Sequence, residues 1–169
     1  MISTTREERR WFVRNLAQGL ADYTGTSEPP VPVEEMLKHP PGLYQNDFGV
    51  VEMYSSLWDA TFARPLTQRG NVFVHVNLTP EKRRFALARE TLSALITSKQ
   101  GRALGLADLL LSELRDSAEC FARALVAPAM MVEAYRKRGG SRDDFADAFG
   151  MPSEVAAARW DEVQTTVPH

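Results

Sequence analysis

The sequence predicts an α+β protein in which a small antiparallel or mixed sheet packs against a core of helices. Three observations along its 169 residues lead to this fold class. The first 40 positions have helical spacing, β-branched and aromatic residues alternate between about positions 49 and 77, and helical periodicity runs from Thr79 onward. Strands followed by a long series of helices are typical of α+β proteins rather than of alternating α/β folds.

The first predicted helix covers Thr5 to Tyr23 and is amphipathic. It ends at Gly25 and the segment SEPPVP, because proline lacks the N–H donor and fixes φ. A short second helix is predicted from Val33 to Lys38, before HPPG. The predicted inward stripe of the first helix consists of Trp11, Phe12, Asn15, Leu16, Gly19 and Leu20.

Three strands are predicted next, at Gly49–Tyr54, Leu57–Phe62 and Val72–Asn77. Each contains β-branched or aromatic residues at about period two, and the third has the clearest pattern. Short strands close together along the chain indicate a small twisted antiparallel sheet.

The remaining chain is predicted to be helical. Thr79 and Pro80 are typical of a helix start, and one helix is predicted over residues 79–99 and another over 106–127. A further helix ends at Gly139, and a helix-turn-helix pattern follows from Ser141.

Composition excludes several classes of protein. A formal net charge of -2 argues against a polybasic nucleic-acid coat, and no apolar run is long enough for a membrane span. The charged start lacks the apolar stretch of a secretory signal. Cys120 is the single cysteine, so it forms no internal disulfide and cannot alone hold zinc. These observations predict a cytoplasmic protein.

Two blocks support a family resemblance. Arg84 to Leu95 reads RFALARETLSAL and follows a strand ending in Asn77, and Arg115 to Pro128 reads RDSAECFARALVAP. With these blocks in this order, the sequence resembles the ImmA/IrrE family of zincin-like metallopeptidases, whose segments read about RFTLAHELGHLLL and ExxANxFAxxLLMP. The likeness extends from about residue 32 to 163. It implies a zincin-like domain over residues 1–128 and a helical, helix-turn-helix-like extension over 129–169 packed on it.

The resemblance implies zinc chemistry, but the ligand residues differ. A zincin holds the metal with two histidines at i and i+4 on one helix, and a glutamate beside the first is the general base. Arg89 and Ser93 stand at the histidine positions, and Glu90 keeps the position of the base. The third ligand, an acid on the later helix, is replaced by Arg115.

These replacements predict a catalytically silent relative with no cofactor. A guanidinium has no lone pair to donate and repels a dication, and serine is a poor zinc ligand. The histidines offer no rescue, because His39, His75 and His169 have no i, i+4 histidine partner. The rival hypothesis of an active metallo-endopeptidase with an atypical site stays open.

The charges of Arg89 and Arg115 predict which groups lie beside them in the cleft between the two helices. Two guanidiniums a few ångströms apart repel unless carboxylates or a bound anion lie between them. We therefore expect Arg89 or Arg115 to contact at least one of Glu90, Asp116 and Glu119.

Members of the family commonly act on helix-turn-helix repressors of the XRE type in stress response or mobile-element control. The resemblance therefore implies a regulatory protein with such a repressor, or another protein, as its partner. Edge pairing with an extended partner is predicted along the strand before the ligand helix. The residues predicted to bind the partner are Val72, Val74, His75, Val76 and Asn77.

Two further hypotheses concern the C-terminal region and the protein as a whole. A DNA-binding regulator would read bases with the helix that starts at Ser153, but that helix offers Arg159 against three acids, and a polyanion repels such a surface. Packing or protein contact is favoured instead, with Trp160 as a core or anchor residue. A purely structural or assembly protein is the other alternative.

Overall fold

The computed structural model describes residues 3–54, 57–66 and 69–165, and their order of helices, strands and helices confirms the predicted fold class. The protein is mostly helical with a three-stranded sheet. The elements are α1 (Arg6–Thr24), α2 (Val33–Lys38), β1 (Val50–Met53), β2 (Ala60–Ala63), β3 (Asn71–His75), α3 (Pro80–Thr97), α4 (Lys99–Ala103), α5 (Leu106–Leu110), α6 (Leu114–Val126), α7 (Ala129–Lys137), α8 (Arg142–Phe149) and α9 (Ser153–Thr165).

The sheet is mixed and has the strand order β1-β3-β2. Strand β1 runs parallel to β3, with Val50 opposite Val72, and β2 runs antiparallel to it, with Ala60 opposite Val74. Val72 and Val74 are completely buried, and α3 packs against both β3 and β2. The sheet therefore has β3 at its centre and β1 and β2 at its edges.

Helix α3 begins where the sequence predicts. The Thr79 hydroxyl accepts a hydrogen bond from the Lys82 backbone N–H, and Pro80 occupies the first turn, where its missing donor costs nothing. Helix α6 packs against both α3 and α1 and buries Phe121 and Leu125 completely. This packing fixes the two helices that carry the predicted site residues side by side.

Strand β2 begins at Ala60, three residues later than predicted, and the helices differ from the prediction at two places. The helix expected over 106–127 is three pieces, because a 3-10 turn at Leu111–Glu113 separates α5 from α6. Helix α4 was not predicted; it starts at a sharp corner where the Ser98 hydroxyl accepts a hydrogen bond from Gly101 N–H at 3.0 Å.

The inward face of α1 also differs from the predicted stripe. Trp11 is 65% exposed, and the buried residues of the helix are Val13, Ala17, Leu20 and Ala21. The predicted stripe is correct for Leu20, which is buried, and for Phe12 and Leu16, which pack against the core, and it is wrong for Trp11, Asn15 and Gly19, which are exposed.

The corner at Gly101 yields a test of the fold. An added Cβ there collides with the backbone carbonyl oxygens of Leu95 and Ile96. We expect Gly101→Ala to lower the free energy of unfolding by about 2 kcal/mol, measured by urea denaturation, because backbone atoms cannot move aside cheaply. The control is Gly19→Ala in α1, where a Cβ meets nothing within 4 Å; it is expected to stabilise by about 0.5–1 kcal/mol. Equal effects of both substitutions would contradict the tight corner.

The C-terminal helices α7, α8 and α9 surround a cluster of aromatic rings. Phe145 lies 4.8 Å from Phe149 and 5.1 Å from Trp160 between ring centroids, and Tyr135 packs edge-on against Phe149 at 5.7 Å. Since Trp160 is buried in this cluster, it is a core residue rather than an exposed anchor. Residues 166–169 of the predicted extension, with His169, lie outside the described residues.

Charged side chains at several points connect the C-terminal helices with the rest of the chain, and two of them donate to backbone carbonyls. The Arg159 Nε donates to the Ala127 carbonyl at 2.9 Å, and the Arg84 guanidinium of α3 donates to the Gly150 carbonyl at 2.6 Å.

In the part of the chain that the structure describes, no helix combines the length and the apolar character needed to cross a bilayer.

Candidate functional site

Helix α3 presents Arg89 and Ser93 on one face, four residues apart, as it would present the two histidines of a zincin. Both side chains are partly exposed, whereas Thr91 and Leu92 face the core. The helix therefore keeps the geometry of a metal-binding turn, but its side chains do not carry metal ligands.

Arg89 lies between two acids from different helices. Its terminal nitrogen is 3.7 Å from Oε1 of Glu119 on α6, and its Nε is 3.9 Å from Oε1 of Glu90 on α3. Its guanidinium also sits 6.0 Å from the ring centre of Phe85, one turn earlier. Arg89 thus has two of the three acids expected from the charge arithmetic as its neighbours.

Glu90 hydrogen-bonds the edge strand of the sheet. Its Oε2 accepts from the Phe62 backbone N–H of β2 at 3.2 Å. Asp59 and His75 form a hydrogen-bonded pair, since the His75 N–H donates to the Asp59 carbonyl. Hydrogen-bonded and non-hydrogen-bonded pairs alternate along antiparallel strands. Phe62, three residues further along, is therefore in a non-hydrogen-bonded pair, and its N–H points away from β3. Burial raises the pKa of Glu90 above its ordinary value, although Arg89 and the Phe62 N–H oppose that shift.

Arg115 occupies the third ligand position on α6. It lies four residues before Glu119, so the two side chains share a helix face. Arg115 is exposed, and among the described residues no hydrogen bond or ion pair satisfies it. The guanidiniums of Arg89 and Arg115 thus lie at the positions that the sequence resemblance assigns to a histidine and an acid.

Asp116 does not join this group. It accepts hydrogen bonds from Arg10 at 2.9 Å and from Arg6 at 2.9 Å, and both arginines belong to α1. These bonds hold the pKa of Asp116 far below its ordinary value. The cluster predicted from the sequence is thus divided: Glu90 and Glu119 accompany Arg89, whereas Asp116 fastens α1 to α6.

The pairing of Asp116 predicts a pH effect on stability. A lowered folded-state pKa contributes stability that is complete above the unfolded value near pH 4 and is lost as the pH falls. We expect Asp116→Asn to lower the free energy of unfolding by about 1–2 kcal/mol at pH 7 and by much less near pH 2. Urea denaturation at both pH values checks this, and a deficit that does not shrink in acid would contradict it.

A groove of about 360 Å³ opens beside Arg89. One wall is α3, and the opposite wall comes from α6, from the residue before β2, and from the start of α9. Its lining residues are Asp59, Lys82, Phe85, Ala86, Arg89, Glu119, Pro152, Glu154 and Val155. Sequence reasoning missed Asp59 and the α9 wall, since nothing in the local pattern shows which distant segments meet there.

The residues present do not fit a zinc ion. Within the described ranges, no three His, Cys, Asp or Glu side chains converge as a metal site. His75 is held by its own turn, where its Nδ1 accepts from the Asn77 backbone N–H at 3.1 Å, and His39 is exposed. Cys120 is completely buried, and burial raises the pKa of its thiol. With a guanidinium at the first ligand position, zinc has no donor set here.

The structure corrects the predicted partner-binding strand. Edge pairing along Val72 to Asn77 is impossible for the strand itself, because β3 is hydrogen-bonded to β1 on one side and to β2 on the other. Val72 and Val74 face the core, His75 and Val76 are half-buried, and Asn77 lies in the following turn. The free edge beside α3 belongs to β2 instead. Sequence periodicity identifies strands but does not order them in a sheet.

Helices α8 and α9 present a mostly acidic outer face. Arg159, the basic residue of α9 that could reach a phosphate, is 4% exposed and pairs with Glu162 at 2.7 Å. Exposed acids on α8 and α9 dominate the outer face instead: Asp143, Asp144, Asp147, Glu154 and Asp161. Such a face repels a polyanion.

Comparison with known proteins agrees with this geometry. Residues 46–161 match the family described as the IrrE N-terminal-like domain. Among solved structures, a Mycobacterium tuberculosis transcriptional regulator is similar, with a TM-score of 0.60 and 17% identity over 90% of this chain and 51% of that one. The chain thus spans about half the length of that regulator. No curated protein matches the sequence.

Proposed function

Because the chain belongs to the family of IrrE N-terminal-like domains, we propose that it is a non-catalytic, cytoplasmic member that regulates by binding a protein partner. The partner lies in the groove beside α3 and is not cut. A repressor of the helix-turn-helix type is the first partner to test, since the family resemblance implies one.

One observation carries the loss of catalysis. Arg89 stands at the first ligand position and is held there by Glu119 and Glu90, so a permanent positive charge lies where a dication would bind. Glu90, at the position of the general base, already accepts a hydrogen bond from Phe62 N–H, and a cation repelled by Arg89 would leave it no metal-bound water to activate. Hydrolysis therefore lacks both its Lewis acid and its nucleophile.

The sheet supports binding without catalysis. Strand β2 is an edge strand, and the backbone groups of Ala60 and Phe62 point outward because these residues occupy non-bonded pairing positions with β3. An extended segment can add to that edge and lie along the groove. Glu90 already accepts the Phe62 N–H, so the arriving segment competes with it there.

Regulation has support from two findings. The family match supplies the domain type, and the similar Mycobacterium tuberculosis protein is titled a transcriptional regulator. That protein is about twice as long, so its additional part has no counterpart in this chain.

The test uses the purified protein and purified XRE-type repressors from the same genome, starting with any whose reading frame neighbours its own. We expect a one-to-one complex by size-exclusion chromatography with light scattering, and an intact repressor by mass spectrometry after incubation with added zinc. Zinc retained through dialysis should stay far below one ion per chain. If the repressor is cleaved and a chelator stops the cleavage, the protein is an active metallo-endopeptidase and the proposal is wrong. If no complex forms, the proposed partner is wrong.

A further inference from the structure

The guanidinium of Arg89 has N–H groups that donate no hydrogen bond to another described residue. The carboxylate oxygens next to it, on Glu119 and Glu90, lie 3.7 and 3.9 Å away, beyond the reach of a hydrogen bond. Arg83 and Arg123, which are somewhat more buried than Arg89, each donate to a carboxylate, at 2.6 and 2.9 Å. Among the described residues, the N–H groups of Arg89 have no such acceptor.

The side chain is nevertheless fixed in position. Attraction to Glu119 and Glu90 acts from two sides, and the guanidinium lies over the edge of Phe85. Its side chain is 28% exposed, so an incoming group can reach it from the groove. A pre-positioned planar fork of this kind loses little freedom on binding.

We propose that Arg89 recognises a carboxylate of the protein partner, which accepts two of its N–H groups side by side in the place of the family's metal. This inference rests on the proposed function, because it names the chemistry by which the same groove selects its partner. A carboxylate matches the guanidinium fork in shape and charge. Lys82, which lines the same groove, adds a second positive charge.

The other charged residues of the groove further restrict which ligand charges can bind there. Asp59, Glu119 and Glu154 border the groove, and Lys82 lies on the α3 wall with Arg89. A single carboxylate is compensated by its pairing with Arg89. Every further negative charge, in a run of acids or a nucleic-acid backbone, is repelled by the three carboxylates of the groove. The ligand is therefore a single carboxylate flanked by neutral or basic residues, in an extended segment.

Such a carboxylate has two sources, an acidic side chain or a chain terminus, and three peptides separate them. Each is a seven-residue peptide of alternating Thr and Val with a fluorescent label at its N-terminus. The first has a central Asp and an amidated end, the second a central Asn and an amidated end, and the third a central Asn and a free carboxylate end. Fluorescence anisotropy with full-length protein, in the presence of EDTA, gives the three affinities.

The variants isolate the guanidinium. Arg89→Gln removes the charge and the fork, and Arg89→Lys keeps the charge alone. Arg102→Gln is the matched control, because Arg102 is exposed on α4 and does not line the groove. Thermal unfolding of each variant verifies that it is folded.

We expect one acidic peptide to bind about ten-fold more tightly than the neutral one. Which of the two binds identifies the source. Arg89→Gln should abolish the difference, Arg89→Lys should reduce it, and Arg102→Gln should leave it intact. Equal affinities in the wild type, a difference that survives Arg89→Gln, or no binding of any peptide at millimolar protein would overturn the inference. Cleavage of a peptide when zinc replaces EDTA would instead overturn the proposed function, and the carboxylate preference could still be measured.

Discussion

In the variant Glu162→Ala, the free energy of unfolding falls by about 3 kcal/mol, because three arginines lose the carboxylate that they share. Arg159 lies 2.7 Å, Arg123 2.9 Å and Arg14 3.5 Å from the Glu162 carboxylate. The Arg159 side chain is 4% exposed and that of Glu162 is 11% exposed, so water replaces little of the lost attraction. Urea denaturation at pH 7 measures the loss.

The pKa of Glu162 agrees with this view. Burial alone would raise it, but the guanidiniums of Arg159, Arg123 and Arg14 outweigh burial and lower it. A lowered pKa means that the carboxylate stabilises the fold above the unfolded value near pH 4.3 and stops doing so as the pH falls. The variant should therefore approach the wild type in acid.

A matched control comes from the preceding residue. Asp161 pairs with Arg142 at 2.7 Å, but both side chains are more than half exposed. We expect Asp161→Ala to cost less than about 1 kcal/mol, since an exposed pair is screened by water and salt. If the two substitutions cost the same, the buried cluster does not hold the C-terminal helices as described.

The second large effect follows from restoring the ligands. A variant with Arg89→His, Ser93→His and Arg115→Glu carries two imidazoles at i and i+4 on α3 and an acid on the helix packed beside it. We expect it to retain about one zinc ion per chain after dialysis. Zinc at a thousand times its dissociation constant stabilises by about 4 kcal/mol. Atomic absorption and thermal unfolding with and without zinc measure both effects.

The control for that variant carries alanine at the same three positions. It also lacks the two guanidiniums but offers no donors, so it should neither retain zinc nor gain thermal stability from it. Failure of the restored variant to bind zinc, while its fold is intact by circular dichroism, would mean that α3 and α6 do not bring the three positions together.

Local signals carried most of the fold prediction. Thr79 and Pro80 define the start of α3 because a cap and a proline act within one turn, and both lie where predicted. Helix α2 has the predicted bounds as well, because Pro32 and the HPPG segment limit it on both sides. Trp11 shows the limit: its hydrophobicity predicts burial, but the face of α1 that packs on α6 carries Val13 and Ala17 instead, and contact with a distant helix is not encoded locally.

From the sequence, only the part of the site that lies on a single helix could be predicted. The i, i+4 spacing of Arg89 and Ser93 requires no knowledge of the rest of the chain. Asp116 was grouped with Arg115 by proximity in sequence, yet adjacent residues of a helix point about 100° apart, so it faces α1 instead. Strand order, which makes β2 the free edge, depends on long-range pairing that periodicity does not encode.

The ion pairs of α1 have a consequence for where the folding unit begins. The family match covers residues 46–161, whereas α1 lies outside it and supplies Arg6, Arg10 and Arg14 to Asp116 and Glu162. Glu162 itself lies one residue beyond the matched range. The segment that carries the family likeness is therefore shorter than the set of residues that pack together, because α1 packs on α6. During synthesis, Arg6 and Arg10 therefore remain without their carboxylate until α6 has been made, and Arg14 remains without its carboxylate until α9 has been made.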